Sequence, residues 1–295
     1  MNSYPYRIVD VFTEVPLEGN ALAVFPDAAG LDSQHMQKIA RELNLSETTF
    51  VVPSSRPDCA VGVRIFTPAR EMLFAGHPTI GTSFVLLEEG IVPANTEQFM
   101  LDEKVGPVPI RVEPGRRPFI WLRTPPIREG KLFDRTVCAK VLGLQVDDLR
   151  PGAPQLLSAG NPTVFIGLKD KEAVDRAWLD THGSATIRRL NGEDSEPLCV
   201  FVFAPTSEGA YSRMFAPEHG VAEDPATGSS TGPLAVFMLK HGLVARAAGT
   251  RFVSEQGTKM QRRSRLHVQL QGDAGCDGID VGGSVTPLAE GVMKF

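Results

Sequence analysis

Three titratable residues stand at changes from one backbone pattern to another, each beside residue types that leave the main chain accessible. Glu47 lies in NLSETTF, between a helical pattern and an apolar strand pattern. A carboxylate placed there is partly desolvated, which raises its proton affinity toward that of a useful base. His77 follows Gly76 in FTPAREMLFAGHPTIG, and Asp224 precedes Gly228 and Ser229 in FAPEHGVAEDPATGSSTG. Both stretches lead into apolar helical patterns. A helix start offers unpaired N–H groups and partial positive charge, and glycine lets a ligand approach that backbone closely. The chemistry open to this set is removal and return of a proton by Glu47. His77, Asp224 and the backbone at Gly76 and Gly228 would hold a carboxylate or a developing anion. Taken singly, each residue also reads as an ordinary turn or helix cap.

The repetition of the pattern shifts that balance. Aligning Phe66 with Phe215 puts Pro68 on Pro217 and Ala75 on Asp224, with a buried helix expected after each. TVFIGL at 163–168 resembles TTFVV at 48–52, which places the counterpart of Glu47 near Gly160-Asn161, so only one half carries the acid.

The elements that position these residues follow from periodicity. Residues 6–12 and 21–25 read as a hairpin. Asp32 or Ser33 caps a helix whose apolar face is Met36, Ile39, Ala40 and Leu43. Strands are expected at 48–52, around Val61, Val63 and Ile65, and at 98–102, 107–113 and 118–123, with a helix rich in apolar residues after AGHPTIG. In the second half a helix is expected at 134–143, strands at 163–168 and 199–205, a helix through PLAVFMLKH, and strands at 250–255 and 264–270. A last strand at 285–294 is expected to return to the first half. Many strands with one buried helix per half imply an α+β fold of two pseudo-repeated domains, 1–125 with 285–295, and 126–284.

Composition narrows the function. A net charge of −5 with basic residues scattered or in short pairs disfavours nucleic-acid binding. No apolar run reaches the ~18 residues of a membrane span, and the N-terminus lacks a signal-peptide pattern, so a cytoplasmic protein without a membrane role is expected. Cys59, Cys138, Cys199 and Cys276 have no C-x-x-C spacing and read as reduced packing thiols. GSSTG fits G-x-S-x-G with Ser230 at its centre, but the later acid and histidine, Glu255 and His267, lie in strand-like sequence, so a serine hydrolase is disfavoured. The glycines form no P-loop, because no lysine follows. His77, His219 and Asp224 lack metal-ligand spacing, so neither metal nor cofactor is expected.

VDVFTEVPLEGNALAVF, IARELNLSETTFV, RIFTPAREMLFAGHPTIGT, NPTVFIGL, SRMFAPEHGVAEDPATGSSTGPLA and SEQG resemble, in order, blocks of the phenazine-biosynthesis PhzF-like family. The resemblance implies a diaminopimelate epimerase-like fold, each half a barrel-like sheet around a central helix, with a site between the halves and a homodimer. It further implies an isomerase in which a glutamate, matching Glu47, moves a proton on a dihydro-hydroxyanthranilate. His77, Asp224 and Ser229 match its helpers, and Gly76 and Gly228 the donors to the substrate carboxylate. Related epimerases use two cysteines; here Ala75 and Asp224-Pro225 stand at or beside those places, so a two-thiol mechanism is excluded. Where the family often has Gly-Arg-Pro-Ser after the Gln-Gly pair, this chain has Gln261-Arg262-Arg263-Ser264. A non-catalytic binding member of the same fold is the alternative.

Overall fold

A computed structural model describes residues 3–272 and 278–295, so Cys276 lies outside the described residues. The chain divides into two units, Met1–Arg123 with Val281–Phe295, and Thr124–Asp280.

Unit 1 opens with β1 (Ser3–Val11), β2 (Asn20–Phe25), α1 (Ser33–Leu43) and β3 (Glu47–Val52). It continues with β4 (Val61–Phe66), β5 (Glu71–Met72), α2 (Gly76–Glu88), β6 (Gln98–Glu103), β7 (Gly106–Glu113) and β8 (Phe119–Arg123). β1 and β2 pair antiparallel, β2 and β3 parallel, β3 and β4 antiparallel, and β4 and β6 parallel. The apolar face of α1, with Met36, Ile39 and Ala40, packs on Phe25, Phe50 and Phe66.

Unit 2 runs β9 (Arg128–Leu132), α3 (Arg135–Val141), β10 (Gln155–Ser158), β11 (Thr163–Gly167), α4 (Lys171–Arg176) and α5 (Thr181–Asn191). It goes on through β12 (Cys199–Thr206), β13 (Gly209–Ala216), β14 (Val221–Asp224), α6 (Gly228–Lys240), β15 (Arg251–Gln256) and β16 (Ser264–Leu270). β17 (Ile279–Gly283) carries the chain back, and β18 (Val285–Lys294) pairs antiparallel with β1.

The order of pairing repeats. β10–β11 antiparallel, β11–β12 parallel, β12–β13 antiparallel and β13–β15 parallel match β1–β2, β2–β3, β3–β4 and β4–β6. The fold is therefore α+β with two similar halves, each built around one helix. Every residue of α2 except Glu88 is buried, and α6 is buried from Gly228 through Met238. Helices apolar on most sides belong inside a wrapped sheet. Gly81 shows how tightly: a Cβ there would stand 2.6 Å from Leu22 Cδ2 and 2.8 Å from Val11 Cγ2.

The register corrects two alignments made from sequence. TVFIGL is the counterpart of β2, not of β3, because β11 pairs parallel with the strand that follows, as β2 does. Phe66 faces Thr48 and Phe215 faces Val200, so the counterpart of Glu47 is Cys199, while Gly160-Asn161 matches Gly19-Asn20. Ala75 does not match Asp224 either. Phe66 to Gly76 is ten residues and Phe215 to Gly228 thirteen, so the second copy holds three more. Two of them lie in the longer turn over residues 217–220, and one in the register shift between Met214 and Ala216. Asp224 therefore matches Met72, and Thr227 matches Ala75.

The Gln261–Ser264 stretch also has a physical reading. After the short 3₁₀ turn Thr258–Met260, Gln261 adopts a left-handed backbone with φ 58°, and Arg262 N–H returns to the Gly257 carbonyl at 3.1 Å. A residue with a Cβ is strained there and glycine is not. Gln261→Gly is expected to raise stability, by up to about 1 kcal/mol. Chemical denaturation of the two proteins checks this; a less stable variant would show that the Gln261 side chain makes contacts outweighing the strain.

Candidate active site

In unit 1 three elements bring a carboxylate and an imidazole together. α1 ends at Asn44, whose left-handed backbone (φ 50°) returns its N–H to Ala40, and the chain reverses into β3 with Glu47 as first residue. Asparagine tolerates that conformation better than most residues. His77 is the second residue of α2, where Pro78 costs nothing because the N–H it lacks would be unpaired in any first turn. The two elements are clasped below the site by Thr82 Oγ1, which donates to Thr49 Oγ1 at 2.8 Å.

His77 Nε2 lies 3.4 Å from Glu47 Oε2, and both atoms are shielded from solvent. The other ring nitrogen, Nδ1, is 3.2 Å from Asn20 Nδ2 at the start of β2. An amide nitrogen only donates, so Nδ1 accepts and the ring proton sits on Nε2, toward the glutamate. Burial pushes the His77 imidazole down to about 3. It is neutral at physiological pH, a hydrogen-bond donor and not a cation. Asn20 is the residue that sequence reasoning missed; its signal was the repeated Gly-Asn before a strand, at 19–20 and 160–161.

Ala75, the residue before α2, supplies no side-chain cap, which leaves the backbone N–H groups of Gly76 and His77 without a capping side chain. Beneath them Thr79 Oγ1 lies 2.8 Å from the Ala75 carbonyl and 2.6 Å from Glu103 Oε1. Glu103 is buried at 3% exposure, and burial drives its carboxyl up to about 8.

In unit 2 Asp224, Gly228 and Ser229 gather at the start of α6. Asp224 ends β14 and is 6% exposed; Thr227 Oγ1 donates to its Oδ2 at 2.5 Å. Gly228 and Ser229 open the helix, and Thr227 does not cap it. Ser230 is fully buried, and its hydroxyl is 2.9 Å from Thr163 Oγ1. Glu255 is held by Arg263 at 2.7 Å on β15. A serine inside a packed helix is no exposed nucleophile, which agrees with setting the hydrolase reading aside. Cys59, Cys138 and Cys199 are buried and in no disulfide, and burial pushes Cys138 up to about 12. That range suits packing, as read from their spacing.

A family model described as phenazine biosynthesis-like protein matches residues 9–291. The chain belongs to that family. It is 33% identical over 290 residues to the trans-2,3-dihydro-3-hydroxyanthranilate isomerase of Pseudomonas aeruginosa, covering 97% of this chain and 98% of that one. Likeness at this level along the whole length makes the chain an isomerase. Among solved structures it is similar to a protein of Pseudomonas aeruginosa described as a predicted epimerase, with TM-score 0.83, 31% identity and 99% of each chain covered. A Bacillus anthracis PhzF-family protein shares the fold, with TM-score 0.87, 24% identity and full coverage of both chains. The resemblance read from the sequence blocks is thereby established for the family and the fold.

Proposed function

We propose that the protein moves a proton on a small, carboxylate-bearing substrate, and that Glu47 is the group that removes and returns it, without a cofactor. The observation that carries this reading is the half-buried Glu47 beside the buried pair His77 and Asn20. The Glu47 side chain is 17% exposed, open to a ligand, while its Oε2 is shielded from water beside His77. A neutral imidazole aimed by Asn20 donates a hydrogen bond without protonating the base. As the substrate loses its proton, negative charge spreads into its conjugated system, and donors already in place stabilise it at no cost in reorganisation. We assign that role to His77 Nε2–H and to the uncapped N–H groups at Gly76, and in unit 2 to the backbone at Gly228 and Ser229, while the Asp224 carboxylate, an acceptor, takes a hydrogen bond from a hydroxyl or amino group of the substrate. The matched sequence blocks support the latter assignment. Trans-2,3-dihydro-3-hydroxyanthranilate, the substrate named for the Pseudomonas aeruginosa relative, is the first candidate.

The test is to incubate the purified protein with this compound and follow its conversion chromatographically, with binding measured separately by calorimetry. Conversion to an isomer of the same mass is the expected result. Binding without conversion over many hours would identify a non-catalytic member of the fold, and no binding would remove this substrate.

A further inference from the structure

The strand that follows each buried helix ends in a buried polar residue, Glu103 on β6 and Gln256 on β15. The register makes them equivalent. β4 pairs with β6 through Gly62 and Asp102, β13 pairs with β15 through Tyr211 and Glu255, and Gly62 matches Tyr211 when Phe66 matches Phe215.

Gln256 is completely buried, and its carboxamide is spent on the turn before α6. Oε1 accepts from Thr227 N–H at 3.1 Å, while Nε2 donates to the Asp224 carbonyl at 2.7 Å and to Thr227 Oγ1 at 3.0 Å. A hydroxyl has one proton. Because Thr227 Oγ1 accepts from Gln256, its own proton is left for Asp224 Oδ2, and the order of donation runs from Gln256 through Thr227 to the carboxylate. The backbone beside it is packed equally closely. Gly257 has φ 76°, and a Cβ on it would stand 2.6 Å from the Pro225 carbonyl oxygen.

Thr227 occupies the position from which threonine ordinarily caps a helix with its hydroxyl. Here the hydroxyl points back to Asp224, and the N–H groups of α6 lack that cap. Unit 1 follows the same plan with different atoms: Ala75 has no capping group, and Glu103 reaches Thr79 in the first turn of α2 from behind.

We propose that Gln256 is a positioning residue that acts through Thr227 to fix the direction of the Asp224 carboxylate and of the first N–H groups of α6. The inference rests on the reading of Asp224 as a participant in the reaction. Thr227→Val keeps the side-chain shape and removes the hydroxyl, and Gln256→Met keeps the length and removes the carboxamide. With trans-2,3-dihydro-3-hydroxyanthranilate as probe, each is expected to lower kcat by about 10- to 100-fold, the scale of a small misplacement at a reacting centre. Thr227→Ser, which restores the hydroxyl, is expected to recover most of the loss. In an Asp224→Asn background, Thr227→Val is expected to add nothing, because the two act as one unit. An unchanged kcat in Thr227→Val, or a full additional loss in the double variant, would overturn the proposal.

If Asp224→Asn turns over at the parent rate, or the parent leaves the probe unconverted, the functional reading of Asp224 fails instead. Positioning is then decided by amide hydrogen exchange. Exchange over 224–231 at least about tenfold faster in Thr227→Val and Gln256→Met, with β12 and β13 unchanged, upholds it. Exchange at the parent rate in that segment refutes it.

Discussion

Glu47→Gln is expected to lower turnover by at least ~10²-fold, the lower end of what a positioned acid or base contributes, while the fold and ligand affinity survive. The substitution keeps the size of the side chain beside His77, but it cannot take up a proton. If the carboxylate only finished the turn after α1, the same change would cost about 1 kcal/mol of stability or less and leave the rate unchanged. The two readings differ in which quantity moves, so melting temperature, calorimetric affinity and kcat are measured together. His77→Ala gives a second comparison. Removing a neutral donor to the developing anion is expected to slow turnover while leaving the base in place. Its effect should not follow a histidine titration between pH 5 and 8, because His77 stays neutral down to about 3.

Glu103→Gln is expected to abolish a pH dependence of stability that the parent shows in the neutral range. Burial lifts the Glu103 carboxyl from 4.5 in a solvated chain to about 8 in the fold. Between those values the unfolded chain has released the proton and the folded chain still holds it. The unfolded state then binds fewer protons, so stability falls as pH rises, with a slope approaching 1.4 kcal/mol per pH unit, and flattens above about 8. His77 acts in the opposite sense. Its folded value of about 3 lies below the ordinary 6.5, so its contribution is fully present above 6.5 and is lost as pH falls toward 3. The window from pH 6.5 to 8 therefore isolates Glu103 from His77. Across it the parent is expected to lose about 2 kcal/mol in urea unfolding. The glutamine variant should start from its own baseline, since an amide replaces a buried carboxyl, and should stay level. Equal slopes in the two proteins would show that Glu103 is ionised in the fold.

What the sequence revealed and what it concealed divide along a physical line. Long periodic or uniformly apolar segments were legible: α1 from its 3, 4, 7 spacing, and α2 and α6 from their unbroken apolar content. The strand at 285–294 was read together with its return to the first half, and the partner there, β1, came from the register. α4 and α5 were not read: α4 has six residues, α5 is largely polar, and their caps Asp170 and Asp180 look like loop residues until the capping bonds are seen. The two repeat alignments failed for one reason. Short apolar strands resemble one another, and only hydrogen-bond register shows that β11 stands for β2 and that the turn before β14 carries extra residues. Glu47, His77 and Asp224 were legible as chemical types at changes of pattern. Asn20, Glu103 and Gln256 were not, since their meaning comes from partners 57, 24 and up to 32 residues away. Glu103 in particular sits before a hairpin turn in QFMLDEK, where an exposed carboxylate would be expected.

The central claim is that Glu47 carries the proton between substrate and solvent. The most direct measurement incubates the parent and Glu47→Gln with trans-2,3-dihydro-3-hydroxyanthranilate in deuterium oxide and reads the label at each carbon by NMR. The parent is expected to place deuterium at the carbon that gains a proton, in proportion to turnover, and the variant to incorporate it at least ~10²-fold more slowly at equal occupancy. Deuterium entering at the parent rate in Glu47→Gln would contradict the account and move the search for the base to Asp224.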